Sequence, residues 1–259
     1  MAETLARSSL FPRLAARLPI GRVGKVFYAF ETTGSTQDEI RRLAEAGAPE
    51  GTLVVADHQT RGRGRQGRAW LDEPGSSLLL SLLLRPEIPA GTAPQLSLLA
   101  AVASADALTG ATALPVGIRW PNDLEVRARK VGGILAEASA TGEQVSHVVV
   151  GIGINVNQTR FPAALARPAT SLALEVGRPL DREPLLEALV ASLDRWYTRY
   201  VREGFAPVRE GWCQASVTLG QPVDGGGVTG TAEDLDVDGA LLVRTAAGAR
   251  TRLVAGAFR

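Results

Sequence analysis

The sequence predicts an α+β domain followed by a small β-barrel, on three observations. Apolar, strand-like runs alternate with polar, glycine-rich connections from about Val26 to Asn157. Two helical patterns interrupt these runs and a third follows them. After Trp212 short strands recur, joined by tight Gly/Asp turns. Segregated strands and helices of this kind make layered α+β folds, and short strands at close spacing make sandwiches or barrels.

Taken in order, residues 1–25 hold Arg7, Arg13, Arg17 and Arg22, broken by Pro12 and Pro19. No uninterrupted apolar core follows the charges, as a secretory signal would require, so this is a leader or a short packing segment. The first strand begins near Val26. Thr36–Ala46 follows a Ser/Thr cap and carries Ile40, Leu43 and Ala44 on one face, the pattern of an amphipathic helix. Leu53–Ala56 and Leu78–Leu84 are strands, and Pro94–Leu108 is a helix apolar enough to lie buried against a sheet. Gly117–Trp120, Gly133–Glu137 and His147–Val150 are further strands. Glu183–Glu203 is a helix opened by Pro184 and closed by Gly204. Val217–Val223, Val228–Leu235, Ala240–Thr245 and Arg250–Ala255 are the barrel strands, turning at Asp238-Gly239 and Ala247-Gly248. The division is therefore 1–25, a main domain at 26–211 and a barrel at 212–259.

Composition narrows the function. With 28 basic and 27 acidic residues in 259, the chain has no global field to attract nucleic acid, so any basic site is local. The single cysteine, Cys213, forms no internal disulfide, which fits a reducing cytoplasm. His58 and His147 stand far apart without a second cysteine, so no metal site is expected. The apolar runs, such as Ser77–Leu84, are too short to cross a bilayer. Nothing repeats at a fixed period. Only Lys25 and Lys130 are lysines; the other basic residues are arginine, and a lysine kept against that bias invites a chemical explanation.

Three motifs carry chemistry. The first is Asp57-His58-Gln59-Thr60-Arg61-Gly62-Arg63-Gly64-Arg65-Gln66-Gly67-Arg68-Ala69-Trp70. Glycines let a backbone approach a ligand, and arginine forks match carboxylate and phosphate oxygens. Trp70 offers a flat face for a ring. Composition alone fits an anion-gripping loop, a solvated basic turn or an RNA contact. The second is Arg119-Trp120-Pro121-Asn122-Asp123-Leu124 followed by Lys130-Val131-Gly132-Gly133-Ile134-Leu135-Ala136-Glu137, a hairpin able to set a carboxylate beside an ammonium, or a plain surface turn. The third, Gly151-Ile152-Gly153-Ile154-Asn155-Val156-Asn157, leaves a strand with small residues and two amides; its spacing is wrong for a dinucleotide-binding loop and no helix follows.

These motifs, in this order, resemble the biotin–protein ligases. Thr33-Gly34-Ser35-Thr36-Gln37 looks like that family's strand-to-helix turn, and the likeness covers roughly residues 28–259. Gln37 stands where the family commonly has Asn, and Gln66 where a basic residue is frequent. The resemblance implies a mixed sheet flanked by helices, similar to class II synthetases, with a small C-terminal SH3-like barrel. It implies ATP, accompanied by Mg²⁺, and biotin as small substrates. The partner would be a biotin carboxyl carrier domain, and a cytoplasmic homodimer would suit the family.

Residue by residue, the resemblance gives Ser35, Thr36, Gln37 and Gln59 to the ureido end of biotin. Arg63, Gly64 and Arg65 fall at its carboxylate end, and Gly132 and Gly133 give it room. Arg63, Arg65, Arg68, Trp70, Asn122 and Asn155 fall to the nucleotide. Lys130 bridges the two substrates, and Arg63, Lys130 and Asp123 form the catalytic set. Each also has a plainer role available: Thr36 as a helix cap, Trp70 and Trp120 as core, Asn155 as a partner for backbone groups. Alternatives of other classes are a lipoate–protein ligase of the same fold, which lacks such an arginine loop, and a biotin-sensing repressor. Only about 25 residues precede the first strand, so no DNA-binding domain is expected. An RNA-gripping protein without catalysis is the remaining alternative, recognised by affinity that falls steeply with salt.

Overall fold

A computed structural model describes residues 10–18, 20–162, 165 and 168–254. Arg7, Pro19 and Ala255 therefore lie outside the described residues. The described residues ahead of the first strand pack against the domain. Helix α1 (Pro12–Arg17) buries Leu14 completely, with Phe11 beside it. Arg13 pairs with Asp181 at 2.7 Å and with Glu183 at 2.9 Å.

Strands β1 (Val26–Thr33), β2 (Thr52–Gln59), β3 (Ser77–Leu84), β4 (Gly117–Arg119), β5 (Asp123–Val126), β6 (Arg129–Thr141) and β7 (Gln144–Asn155) form one seven-stranded sheet in the order β1-β2-β3-β7-β6-β5-β4. Only β1 and β2 pair in parallel, which makes the sheet mixed. Between β1 and β2 the chain runs through helix α2 (Thr36–Glu45), the crossover that a parallel pair requires.

Side-chain alternation splits the sheet into two faces. Leu78, Leu80, Leu82 and Leu84 of β3 and Val148, Val150, Ile152 and Ile154 of β7 enter the main core. Helices α3 (Gln95–Thr112) and α5 (Arg182–Glu203) cover that face. On the other face Val54, Leu83 and Val149 pack under Ile40 and Ala44 of α2. Beyond α2 this second face opens, and the functional site lies there.

Two expectations need correction. The predicted barrel strand Val217–Val223 does not form: the Val217 amide donates to the Ile118 carbonyl at 3.0 Å, and the first barrel strand is β8 (Pro222–Gly225). Helix α6 (Ala206–Ala215), which follows the short helix α4 (Leu172–Val176) and α5, carries the chain past residues 211–212 because Trp212 is fully buried in the main core. The expected domain boundary thus falls inside a helix. Strands β8, β9 (Val228–Leu235), β10 (Leu241–Arg244) and β11 (Arg250–Leu253) make a four-stranded antiparallel sheet, the SH3-like unit. Among the described residues no helix is long and apolar enough to cross a membrane.

Candidate active site

A cavity of about 440 Å³ opens on the exposed part of the second sheet face. Ser35, Thr36, Gln37, Gln59, Arg63, Gly64, Arg65, Arg68, Trp70, Asn122, Asp123, Lys130, Gly133 and Asn155 all line it, so the fold gathers residues from segments far apart in sequence. Gly132 is not among them. A Cβ there would meet the Gly153 carbonyl oxygen at 3.0 Å and Leu124 at 3.1 Å, so this glycine serves close packing within the sheet.

One end of the cavity is a polar network. Gln59, last in β2, accepts from the Thr36 amide at 2.7 Å and the Thr36 hydroxyl at 3.0 Å. Ser81 donates to the same hydroxyl at 2.8 Å. Gln59 therefore caps α2, whereas Ser35, the residue expected to cap it, makes no side-chain capping bond and instead lines the cavity. Gln37 is buried and donates to the Leu135 carbonyl at 2.9 Å.

The arginine loop leaves Arg61 and residues 66–69 exposed while it half-buries Arg63, Arg65 and Trp70. It folds back on itself: the Trp70 amide donates to the Gly62 carbonyl at 3.0 Å and the Gly64 amide to the Arg68 carbonyl at 2.7 Å. At its base His58 Nδ1 meets the fully buried carboxylate of Asp72 at 2.8 Å. Gly62 is required here, because a Cβ would stand 2.7 Å from the Trp70 carbonyl oxygen. Arg63 rests on Asp38 at 2.9 Å and on Glu137 at 3.4 Å. Arg65 reaches the Asn122 side-chain oxygen at 3.1 Å, and its burial pulls its pKa below the usual arginine value despite the opposing charge of Asp123.

The second motif forms two hairpins rather than one. Trp120-Pro121-Asn122 joins β4 to β5, and Arg127-Ala128 joins β5 to β6. Asp123 pairs with Gly133 and Leu124 with Gly132, after which the register shifts so that Glu125 pairs with Lys130. This bulge at Val131 turns Val131 into the core and brings Lys130 onto the site face. Lys130 Nζ then lies 2.6 Å from Asp123 Oδ1. The turn is braced from behind by the barrel unit. The buried Trp120 donates through its ring nitrogen to the Gly239 carbonyl at 3.3 Å, and its amide to Thr218 at 2.8 Å.

Residues 151–155 of the third motif are strand, and Val156 and Asn157 follow it. Ile152 and Ile154 enter the core while Gly151 and Gly153 face the site. A Cβ on Gly151 would come within 2.8 Å of the Gln37 side chain, and one on Gly153 within 2.7 Å of the Trp70 ring. The alternating glycines thus clear the floor on which Gln37 and Trp70 lie. Lys130 sits 5.9 Å from the Trp70 ring centroid. Asn155 donates to the Thr170 carbonyl at 3.0 Å, so the backbone-partner role open to it in the sequence is one it fills.

Three residues of the wall, Arg63, Trp70 and Gln158, each hold a buried polar atom with no protein partner: Nε, Nε1 and Oε1 respectively. Buried groups of this kind cost free energy unless something satisfies them, and a polar ligand in the cavity would supply that partner. Sequence reasoning did not single out Gln158, and it placed Gly151 and Gly153 in the third motif without giving them a role. The signal for the glycines was their period of two within a strand.

Residues 29–155 match the family described as Biotin/lipoate A/B protein ligase, and residues 216–258 match the Biotin protein ligase C terminal domain. The bifunctional ligase/repressor BirA of Bacillus spizizenii is 39% identical over 224 residues, which cover 84% of this chain and 69% of that protein. The biotin–[acetyl-CoA-carboxylase] ligase of Paracoccus denitrificans is 39% identical over 227 residues, covering 83% and 93%. Among solved structures, the biotin protein ligase of Aquifex aeolicus in complex with biotin and ATP superposes with a TM-score of 0.78 at 30% identity, covering 91% of this chain and 98% of that one.

Proposed function

The chain belongs to the biotin/lipoate A/B protein ligase family, and we propose that the cavity residues above bind biotin and ATP side by side and join them. The activity is ATP-dependent biotin–protein ligation: biotinyl-5′-AMP and pyrophosphate form first, and biotin then passes to a lysine of the carrier domain of a biotin-dependent carboxylase. The observation that supports the residue assignment is the junction of three features in one cavity. These are the Gln59–Thr36 network, the folded arginine loop, and the Lys130–Asp123 pair beside Trp70.

The biotin carboxylate must attack the α-phosphorus of ATP, so two anions meet and cations at that point are the main requirement. Lys130 and Arg65 lie there, and Arg63 joins them by leaving Asp38 and Glu137 for the stronger anionic ligand. Ser35, Thr36, Gln37 and Gln59 hold the polar ring at the closed end. Gly64 and Gly133 leave space for the chain between the two ends. Trp70 offers its face, with Arg68, Asn122 and Asn155, to the nucleotide. Mg²⁺, bound with the phosphates of ATP, would add positive charge where the two anions meet.

In the second step the carrier lysine must lose a proton. At neutral pH this costs about 4–5 kcal/mol for an ordinary lysine. Asp123 orients the incoming ammonium and helps to remove its proton once Lys130 has turned to the phosphate.

Further parts of the proposal are a cytoplasmic location, a homodimer and no DNA binding; the near-balanced charge of the chain supports the last. The catalytic unit is placed at 26–215, through the end of helix α6, and the barrel unit from 216 onward, because Trp212 belongs to the main core. The test is pyrophosphate exchange into ATP by the purified chain, run with biotin and separately with lipoate, followed by transfer to a biotin carrier domain. Exchange that requires biotin is expected. Exchange with lipoate alone would overturn the substrate, and none with either acid in folded protein would overturn the catalytic assignment.

A further inference from the structure

Lys130 faces the cavity only because β6 slips register at Val131, and a bulge of this kind needs something to hold it. The turn before it, Arg127-Ala128, places two non-glycine residues at positive φ, 49° and 61°, a conformation side chains resist. The residues on either side of Ala128 meet a single carboxylate that does not line the cavity. Glu175 on α4 has a side chain with no exposed surface. It accepts from the Thr170 hydroxyl at 2.6 Å and pairs with Arg129 at 2.6 Å and Arg127 at 3.2 Å. The two arginines flank Ala128, so the carboxylate grips both sides of the strained turn. A buried carboxylate is tolerated only when it is paired and hydrogen-bonded in this way, which makes the three contacts mutually dependent.

Thr170 carries the grip to the site. Its amide donates to the Lys130 carbonyl at 2.8 Å, while the Lys130 amide donates to the Pro168 carbonyl at 2.9 Å, a short parallel pairing that fixes the lysine backbone on both sides. The Thr170 carbonyl also receives Asn155 from the cavity wall at 3.0 Å. We propose that Glu175 is a positioning residue for Lys130: by clamping Arg127, Arg129 and Thr170 it holds the bulge that aims the lysine at the bound acid. The proposal rests on Lys130 meeting the biotin carboxyl, as assigned above.

The experiment is a double-substitution cycle on the full chain, with biotin affinity read by titration calorimetry. Glu175→Gln is expected to weaken biotin binding about 10-fold, because a misplaced charge loses most of its contact. In a Lys130→Ala background the same change should cost less than about 2-fold, since residues acting through one group are not additive. Equal losses in both backgrounds would mean a general structural role and would overturn the proposal, as would full affinity in Glu175→Gln. Should Glu175→Gln not fold, Arg129→Ala, which alters an exposed side chain at the same clamp, takes its place in the cycle with the same expectations. If the unaltered chain binds no biotin, the assignment of Lys130 falls first; binding there with an uncoupled cycle removes the positioning role alone.

Discussion

Lys130 and Asp123 meet at 2.6 Å across a bulged strand pair, so that the ammonium and the carboxylate of the site occupy each other. Under the proposed assignment, bound ATP would offer the lysine a better partner and free the carboxylate for a second cation. Asp123→Asn should therefore slow biotin transfer more than adenylation, by at least about 10-fold, since positioned acid–base groups contribute at least 10²-fold. Single-turnover measurement of the two half-reactions checks this; equal slowing of both would assign Asp123 to Lys130 alone.

The Trp70 ring lies where a Gly153 side chain would be. Gly153→Ala brings a methyl within 2.7 Å of the indole and should cost about 1–3 kcal/mol of stability, the usual range for overpacking. Trp70→Ala combined with Gly153→Ala should recover that loss while leaving ATP affinity low. Urea denaturation of the two variants, with nucleotide titration, separates the effects.

Gln59 both caps α2 and faces the cavity. Gln59→Leu leaves the Thr36 amide without its 2.7 Å partner and should cost about 1 kcal/mol, as loss of a helix cap does. Biotin affinity should fall further than stability explains. Affinity that tracks stability alone would reduce Gln59 to a cap.

His147, half-buried on β7, has a pKa below its ordinary 6.5, first because of burial and then because of Arg85. The folded chain therefore prefers the neutral ring, and the unfolded chain binds more protons below about pH 6.5. Stability from this group is present above that pH and is lost as pH falls toward the folded value. Denaturation midpoints at pH 7.5 and pH 5.5 should differ less in His147→Gln than in the unaltered chain.

Much of this was legible in the amino-acid order. The strands of the central sheet announce themselves because their apolar residues alternate or run unbroken, and α5 because Pro184 opens it and Gly204 ends it. The arginine loop and the rare lysine stood out by their chemistry, while Ser35, Thr36, Gln37, Gln59 and Asn155 were assigned only through the family resemblance. Other features were hidden. Helix α6 is short and carries Gly211 in its interior, which argues against it locally although Pro207 suits its first turn; burial of Trp212 and Val208 decides it. Val217 looks like barrel strand, yet it docks on Ile118 of the main sheet, because strand propensity says nothing about which edge is free.

The sequence by itself determined the order of elements, the two-part organisation and the set of residues that can grip anions, because these follow from local periodicity and side-chain chemistry. Only the tertiary structure decided which of them face one another. Strict alternation from Gly133 would have sent Lys130 into the core; one extra residue at Val131 reverses it. That slip is stabilised by Glu175, far along the chain, and the turn before Asp123 is braced by Gly239 and Thr218 farther still. Facing depends on register, and register is fixed by contacts between distant segments, which no local pattern encodes.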